Sequence, residues 1–489
     1  MHPPSRRLSI SPRIDYQIND SNTLVARYSF QRSTSANQGI GNFNLLSRAF
    51  DSKNTGHEFR ITESAILNPK TVNETRFSYE TNRRVQDGGT LTPGVNVSSA
   101  FTGGGAQVGN SFNSSKRWEI QNYTTTTFGI NAQHGIKFGA RVRGVNIEDR
   151  SESGYGGSFT FAGVRGAGGV IVASSIEQYR QKVLGNASVI YNPTQFNLTT
   201  GNPVAKVSQI DYSFFMTDDW KARKDLTISG GLRYENQTNL KSNFNFAPRI
   251  GFAYAPGAGG AKQPKTTIRG AFGIFYDRFS ENTTLTARRN DGVSQVQYVV
   301  TDPTLLGQAI FTANGGVTNV PTAAQLASFA PLSNTPRRID SNLQAPYSVQ
   351  SAFSVDQTLP YRSTLSATFV LSRTLHTIRL RNINAPVCPN NQVCPTGLTT
   401  AQVQLLRPNP AAGNIYEYES SGYSNNQQFS LRFNTRLSTK VTVFASYSLS
   451  FQKNNTDGGG FPAYSYDLSN EYAPSAFTAR NTAFVGGSI

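Results

Sequence analysis

The sequence predicts an all-β protein, an antiparallel transmembrane β-barrel with long extracellular loops and short periplasmic turns. Three observations carry that expectation. Apolar and polar residues alternate with a period of two in run after run, the pattern of strands whose successive side chains point to opposite faces. Within the 489 residues, no run approaches the roughly 18 apolar residues of a transmembrane helix, so a membrane protein with this sequence must cross with a closed sheet. Connections between the runs are alternately short and long, the asymmetry of outer-membrane barrels.

The runs fall into hairpins in chain order. "PRIDYQI" turns at "NDSN" into "TLVARYSFQR", where Leu24, Ala26, Tyr28 and Phe30 alternate with Arg27, Ser29 and Gln31. "HEFRITESAIL" turns at "NPKT" into "VNETRFSYETNRR", with Thr75, Phe77 and Tyr79 opposite Glu74, Arg76 and Glu80. "KRWEIQNYTTTTFG" turns near "INAQ" into "HGIKFGARVRGVNIEDR", with Ile136, Phe138, Ala140 and Val142 opposite Lys137, Arg141 and Arg143. The fourth hairpin pairs Ile210, Tyr212, Phe214 and Met216 with Ile228, Leu232 and Tyr234 across the charged link "KARKD"; Phe215 is the exception to the parity.

Three further hairpins follow. "FAPRIGFAYAP" returns as "KTTIRGAFGIFYDRF", "APYSVQSAFSVDQ" returns as "STLSATFVLSRTLHTIRL", and "NNQQFSLRFNTR" returns as "VTVFASYSLSFQK". With the last run, "TARNTAFVGGSI", the total is about fifteen strands of the roughly ten-residue length that crosses a bilayer at a tilt. Segments 86–114, 151–204, 280–343, 382–423 and 453–476 read as long Gly/Asn/Ser-rich loops, one of them with a short helix over Pro321–Ala330. Hairpins that share a pattern without a recurring 40–50-residue signature argue against a propeller.

Composition narrows function. Charged residues are 15% of the chain, so its polarity rests on Ser, Thr, Asn, Gln and Gly, which suits a sheet wet on one face and greasy on the other. The net charge of +17 is dispersed through the strands without a basic helix or an RNA-binding aromatic signature, so nucleic acid is not an expected partner. Cys388 and Cys394 bracket a Pro/Asn turn and read as a small disulfide loop outside the cytosol. His2, His57, His134 and His376 lie far apart without metal-ligand spacing and read as strand-end or lumenal residues. No nucleophile elbow or phosphate-binding glycine loop is present; no catalytic, cofactor-binding or metal residue is assigned, and the chain is not expected to be an enzyme.

The polar face supplies the candidate site. Glu74, Arg76, Glu80, Lys137, Arg141, Arg143, Arg233, Glu235, Arg249 and Arg269 oppose apolar faces, and on a barrel they point into the lumen. At the lipid midplane each Arg or Lys would instead cost about 2–4 kcal/mol. Trp220, beside Asp218 and Asp219 at the end of a strand, is placed as an interface aromatic, with Tyr212, Phe214, Ile228, Leu232 and Tyr234 toward lipid.

At "DDWKARKDLTISGGLRYE" the chain resembles TonB-dependent outer-membrane receptors, in which an Asp-Trp-Lys turn leads into a strand ending Gly-Leu-Arg-Tyr-Glu, here Gly231–Glu235. "APRIGFAYAP" with "TTIRGAFGIFYDRF", and later "NNTDGGGFPAYSYDLSNEYAPSAFTARNTAFVGGS" with Tyr466, Asp467 and Leu468 in place, are similar to the Oar-like branch. The resemblance implies a barrel of about 22 strands closed by a plug domain and opened by TonB–ExbB–ExbD, taking up an extracellular solute such as a siderophore, oligosaccharide or peptide. About fifteen strands, and an N-terminus without the roughly 7–15 apolar residues of a secretory signal, lead to the expectation of an incomplete barrel, a fragment lacking the plug and the final strands. Residues 1–10 are expected to be irregular and 11–489 to be receptor barrel. The alternatives are an unplugged porin-like channel or a secreted β-rich adhesin or glycan-binding protein.

Overall fold

A computed structural model of the chain describes residues 4–259, 263–312, 319–328, 336–388, 394, 398–438, 441–456 and 461–488. Fifteen strands follow one another as an antiparallel meander: Arg13–Asn19, Asn22–Gln38, Phe50–Asn68, Thr71–Asp87, Asn110–Phe128, His134–Arg150, Val204–Arg223, Leu226–Gln237, Phe246–Tyr254, Thr266–Tyr276, Tyr347–Leu359, Ser363–Asn382, Tyr416–Arg436, Thr442–Asn454 and Asn481–Ser488. Ser5–Ile10, Arg337–Ile339 and Ala473–Pro474 add to the same sheet, which counts 18 strands. Among the described residues, Ser5–Asn19 and Asn481–Ser488 are its two edges.

The first ten residues depart from expectation. Ser5–Ile10 is a strand, paired from Ser5↔Ser35 to Ile10↔Phe30, so it continues the lane of Arg13–Asn19 along Asn22–Gln38. The run is short and enclosed by Pro4 and Pro12, which hides it from a periodicity reading. Pro12 lacks the N–H of a ladder residue, and the lane breaks there.

Register explains why the alternation is uniform. Across the meander, apolar residues meet apolar residues: Phe59↔Tyr79, Phe77↔Ile120, Phe214↔Tyr234, Ile250↔Phe272, Phe353↔Phe369 and Phe429↔Leu449. A slip of one residue in any lane would turn its set to the other face. Trp118 lies opposite Gly144, where an added Cβ would come within 2.3 Å of the indole; the glycine makes room for the ring. The apolar face is open rather than covered: Phe214 is 53% exposed, Leu232 49% and Ile250 59%. Large contiguous apolar exposure marks a surface that meets something other than water.

The long connections are not structureless. Strands Gln295–Val300, Gln195–Gly201, Ser158–Phe161, Gly94–Val97 and Phe101–Gly104 assemble in that order into a second, five-stranded sheet, with Ser158–Phe161 and Gly94–Val97 parallel. Its core contains Val97, Phe159, Phe161, Phe196, Leu306 and Leu326, all essentially sealed from solvent. Helix α1, Ser175–Val183, is capped by Ser174, whose Oγ accepts from the Glu177 N–H, and it presses Tyr179 edge-on against Phe101 and Phe161. Sequence reading placed these pieces in loops at 86–114, 151–204 and 280–343. They are short, and their partners lie far away in sequence, so no local period betrays them. The 382–423 loop likewise ends early, because the strand begins at Tyr416. Within Pro321–Ala330 the helix runs Ala323–Ala327, held by a capping box of Thr322 and Gln325; residues 329 and 330 lie outside the described residues.

Candidate functional site

All ten charged candidates occupy one face of the large sheet, and each has a partner there. Glu74, Arg76 and Lys137 gather round Tyr123: the phenol donates to Glu74, Arg76 pairs with Glu74, and the Lys137 Nζ stands 4.2 Å over the ring. Glu80 lies 3.7 Å from Arg117, and Arg141 donates to Glu119 at 2.9 Å. Arg233 pairs with Glu235 and lies over the Phe215 ring, which accounts for the one phenylalanine of charged-face parity in its strand. Arg249 stacks over Phe275 at 4.4 Å, and Arg269 pairs with Asp356. Most of these pairs are partly exposed, so they contribute little stability individually. Their effect is to hold the charges in fixed positions on the wall.

Arg143 belongs to a tighter cluster that the sequence did not disclose. Helix α2, Glu281–Arg289, comes from the 277–346 connection and lies against the charged face. At its N-terminal end Arg278 donates to Asp211 at 2.6 Å and pairs with Glu281, while Arg143 stands 3.6 Å from both carboxylates. Asp211 also accepts from Gln209 at 2.7 Å. At the other end Arg289 pairs with Asp149, and Arg288 donates to the Lys206 carbonyl at 2.8 Å. Between these anchors Leu285 packs on Val145, Ile147, Ala205 and Val207. These aliphatics share the parity of the charged residues, so the face changes from charged to apolar where α2 covers it. Arg278 lies 67 positions from its partner Asp211, and Glu281, which pairs with the same arginine, lies 70 from Asp211, so only the fold brings them together.

Recesses open on this face. One of about 250 Å³ is lined by Arg141, Asp211, Arg233, Glu235 and Arg278 among others, with Arg233 paired to Glu235 and Arg278 to Asp211. Beside the second sheet, burial pushes the Tyr155 phenol up to about 12, with the nearby Glu152 carboxylate adding to the rise.

The remaining candidates are distributed. Trp220 lies at the strand end on the apolar face, stacked on His134 with centroids 5.8 Å apart and planes at 4°; His134 Nδ1 is 2.7 Å from Asp218. His376 meets Tyr347, and His2 lies outside the described residues. His57 corrects the expectation of strand-end or lumenal histidines: it sits within a strand on the apolar face, its Nδ1 2.8 Å from the Tyr28 hydroxyl, which satisfies a polar atom there. Cys388 and Cys394 have Cα atoms 5.1 Å apart, within the span of a disulfide. Among the described residues, no group of three His, Cys, Asp or Glu side chains could hold a metal, and no helix is long and apolar enough to cross a membrane.

Residues 4–243 and 239–489 match the family model described as Outer membrane beta barrel domain. Among solved structures the chain is similar to the outer membrane transporter YddB from Escherichia coli, at 12% identity and a TM-score of 0.58 over 96% of this chain and 50% of that one. It is also similar to the ferripyoverdine receptor of the outer membrane of Pseudomonas aeruginosa, at 10% identity and a TM-score of 0.51 over 99% of this chain and 52% of that one. The chain spans about half the length of these two structures, and the likeness is one of fold. A comparison with curated proteins gives no match.

Proposed function

Because the chain belongs to the outer membrane β-barrel domain family, we propose that it forms the wall of a receptor that captures a scarce extracellular solute and passes it inward along the charged face, gated by a plug and driven by TonB–ExbB–ExbD. Family membership makes it a protein of the Gram-negative outer membrane, with lipid as the partner of its apolar face. The observation that carries the receptor reading is the division of labour between the two ends of the wall. One end has mostly tight turns, whereas the other carries folded connections that build a second sheet and send α2 down the charged face. Capture belongs at that elaborated end, the charged face is the lumenal one, and Trp220 marks the opposite, periplasmic interface. A disulfide between Cys388 and Cys394 closes a small loop on the capture side. The Oar-like branch supplies the particular receptor type, and no bond-making step is part of this function.

The porin-like alternative differs in one measurable respect. The intact protein, reconstituted in liposomes, is expected to give no swelling with small neutral sugars and to bind the purified periplasmic domain of TonB. Rapid sugar-driven swelling without TonB binding would favour the open channel and reject the receptor.

A further inference from the structure

A recess of about 780 Å³ on the charged face lies at the loop end of the strands Asn22–Gln38, Phe50–Asn68, Thr71–Asp87, Asn110–Phe128 and His134–Arg150, where Arg289 of α2 reaches the wall. Its chemistry differs from that of the smaller recess described above. Ser52, Asn54, Asn82, Gln86, Ser111 and Asn113 make it a surface of neutral amides and hydroxyls, whereas pockets for compact organic ligands are predominantly apolar. Phe50 adds one ring.

Two residues that line this recess each hold a buried polar atom without a partner: Asn54 its Oδ1, which can only accept, and Arg289 its Nε, which can only donate. An unmet buried polar atom costs free energy until a ligand or water supplies the missing bond, and a hydroxyl can do so for either kind. The ionic groups are nearly all spoken for: Arg289 pairs with Asp149, and Arg150 with Glu152. Arg84 is exposed in the recess, and no carboxylate among the described residues pairs with it. The recess also continues through Ser151, Ser153 and Arg289 into a second polar cavity of about 280 Å³ under Thr199, Gln295 and Gln297 of the five-stranded sheet. The site is therefore elongated, polar and bordered by a single unmatched cation.

We propose that this recess binds an acidic oligosaccharide, a hydroxyl-rich sugar chain whose carboxylate pairs with Arg84. The inference rests on the receptor reading and names its substrate class. Sugar hydroxyls exchange their water hydrogen bonds for those of Asn54, Asn82, Asn113 and Arg289, and the ring of Phe50 offers an apolar face to a sugar's C–H side. A carboxylate on the chain gains a charge-assisted bond to Arg84 that a neutral sugar cannot make.

Purified intact protein in detergent micelles is titrated with fluorescently labelled hexamers of galacturonate, mannuronate and guluronate, and with maltohexaose and hexaglycine. At least one uronate is expected to bind saturably and about tenfold or more tighter than maltohexaose, the factor that one charge-assisted bond supplies. Arg84→Gln should remove most of that preference by weakening uronate binding far more than maltohexaose binding; Asn54→Leu should weaken both sugars. No saturable sugar binding, a preference for hexaglycine, or uronate binding indifferent to both substitutions would overturn the proposal. Because binding in micelles needs neither a gate nor an energy source, failure of this titration leaves the receptor reading standing, and an open channel in liposomes leaves the titration interpretable.

Discussion

On the wall, Phe214, Leu232 and Ile250 stand exposed along one face, whereas in the five-stranded sheet Phe159, Phe161 and Phe196 are sealed from solvent. The same kinds of side chain thus serve two different solvents. The wall keeps its backbone satisfied by a continuous ladder and leaves its apolar groups exposed, for lipid on the proposed reading. The small sheet must make its own interior, and it does so from pieces of three connections. The wall is consequently held by pattern, in which any one residue matters through the face it occupies. The small sheet is held by a handful of rings, in which contact matters most.

That contrast can be broken most forcefully at Phe196, whose ring lies 4.7 Å from that of Phe159 and 5.2 Å from that of Phe311. Phe196→Ala should destabilise the small sheet by about 3–5 kcal/mol, the range for truncating a buried phenylalanine. Protease added to intact cells should then cut within 151–203, while heat-modifiable migration of the wall on gels persists. Loss of both together would show that the two regions fold as one unit.

The wall is tested by a neighbouring pair of opposite parity. Leu232→Arg puts a cation on the apolar face and should cost about 2–4 kcal/mol if that face meets the lipid midplane. Arg233→Leu only removes a partner of Glu235 on the other face. Outer-membrane fractions should contain far less of the first variant than of the second, and equal assembly of the two would reject the assignment of faces.

A smaller effect belongs to the contact through which the connections grip the wall. Asp211→Asn leaves Arg143 and Arg278 short of an anion, and loss of such a bond costs about 1–3 kcal/mol. Hydrogen exchange should quicken across 278–290 and stay slow in Val204–Arg223. Unchanged exchange in α2 would mean that Leu285 and the Arg289–Asp149 pair suffice to hold it.

What the sequence disclosed follows the same division. Fifteen lanes were legible because each is long enough for a period of two to stand out, and the ten charged candidates were legible because parity alone assigns their face. Partners were not legible. Nothing local in "GVNV" announces that it will lie parallel to "SFTF" some sixty residues on, and nothing in "DRFSENTTLTARR" announces that Arg278 and Arg289 will reach Asp211 and Asp149. Such contacts depend on the lengths and paths of connections, and these carry no period. Ser5–Ile10 was missed for a different reason, since Pro4 and Pro12 enclose a short run and Pro12 breaks a lane that the register nevertheless continues.

Trp220 and Trp118 give the finest test, because both lie on the apolar face and only their position along the strands differs. Trp118 stands mid-strand between Tyr79 and Gly144, and Trp220 lies close to the turn that joins Val204–Arg223 to Leu226–Gln237. An indole at the interface keeps its ring in the apolar zone and its N–H near water, and the interface proposed for Trp220 would place the His134 stack and the Asp218 carboxylate at that wetter level. Each is the sole tryptophan once the other is changed to phenylalanine. With the intact protein in bilayers of brominated lipid, Trp220 fluorescence should be quenched most by bromine placed near the headgroups and Trp118 fluorescence most by bromine deep in the acyl chains. If Trp220 proved the deeper of the two, the turn at Lys224 and Asp225 would lie within the hydrocarbon, where its charges are least tolerated, and the periplasmic placement of that end would fail.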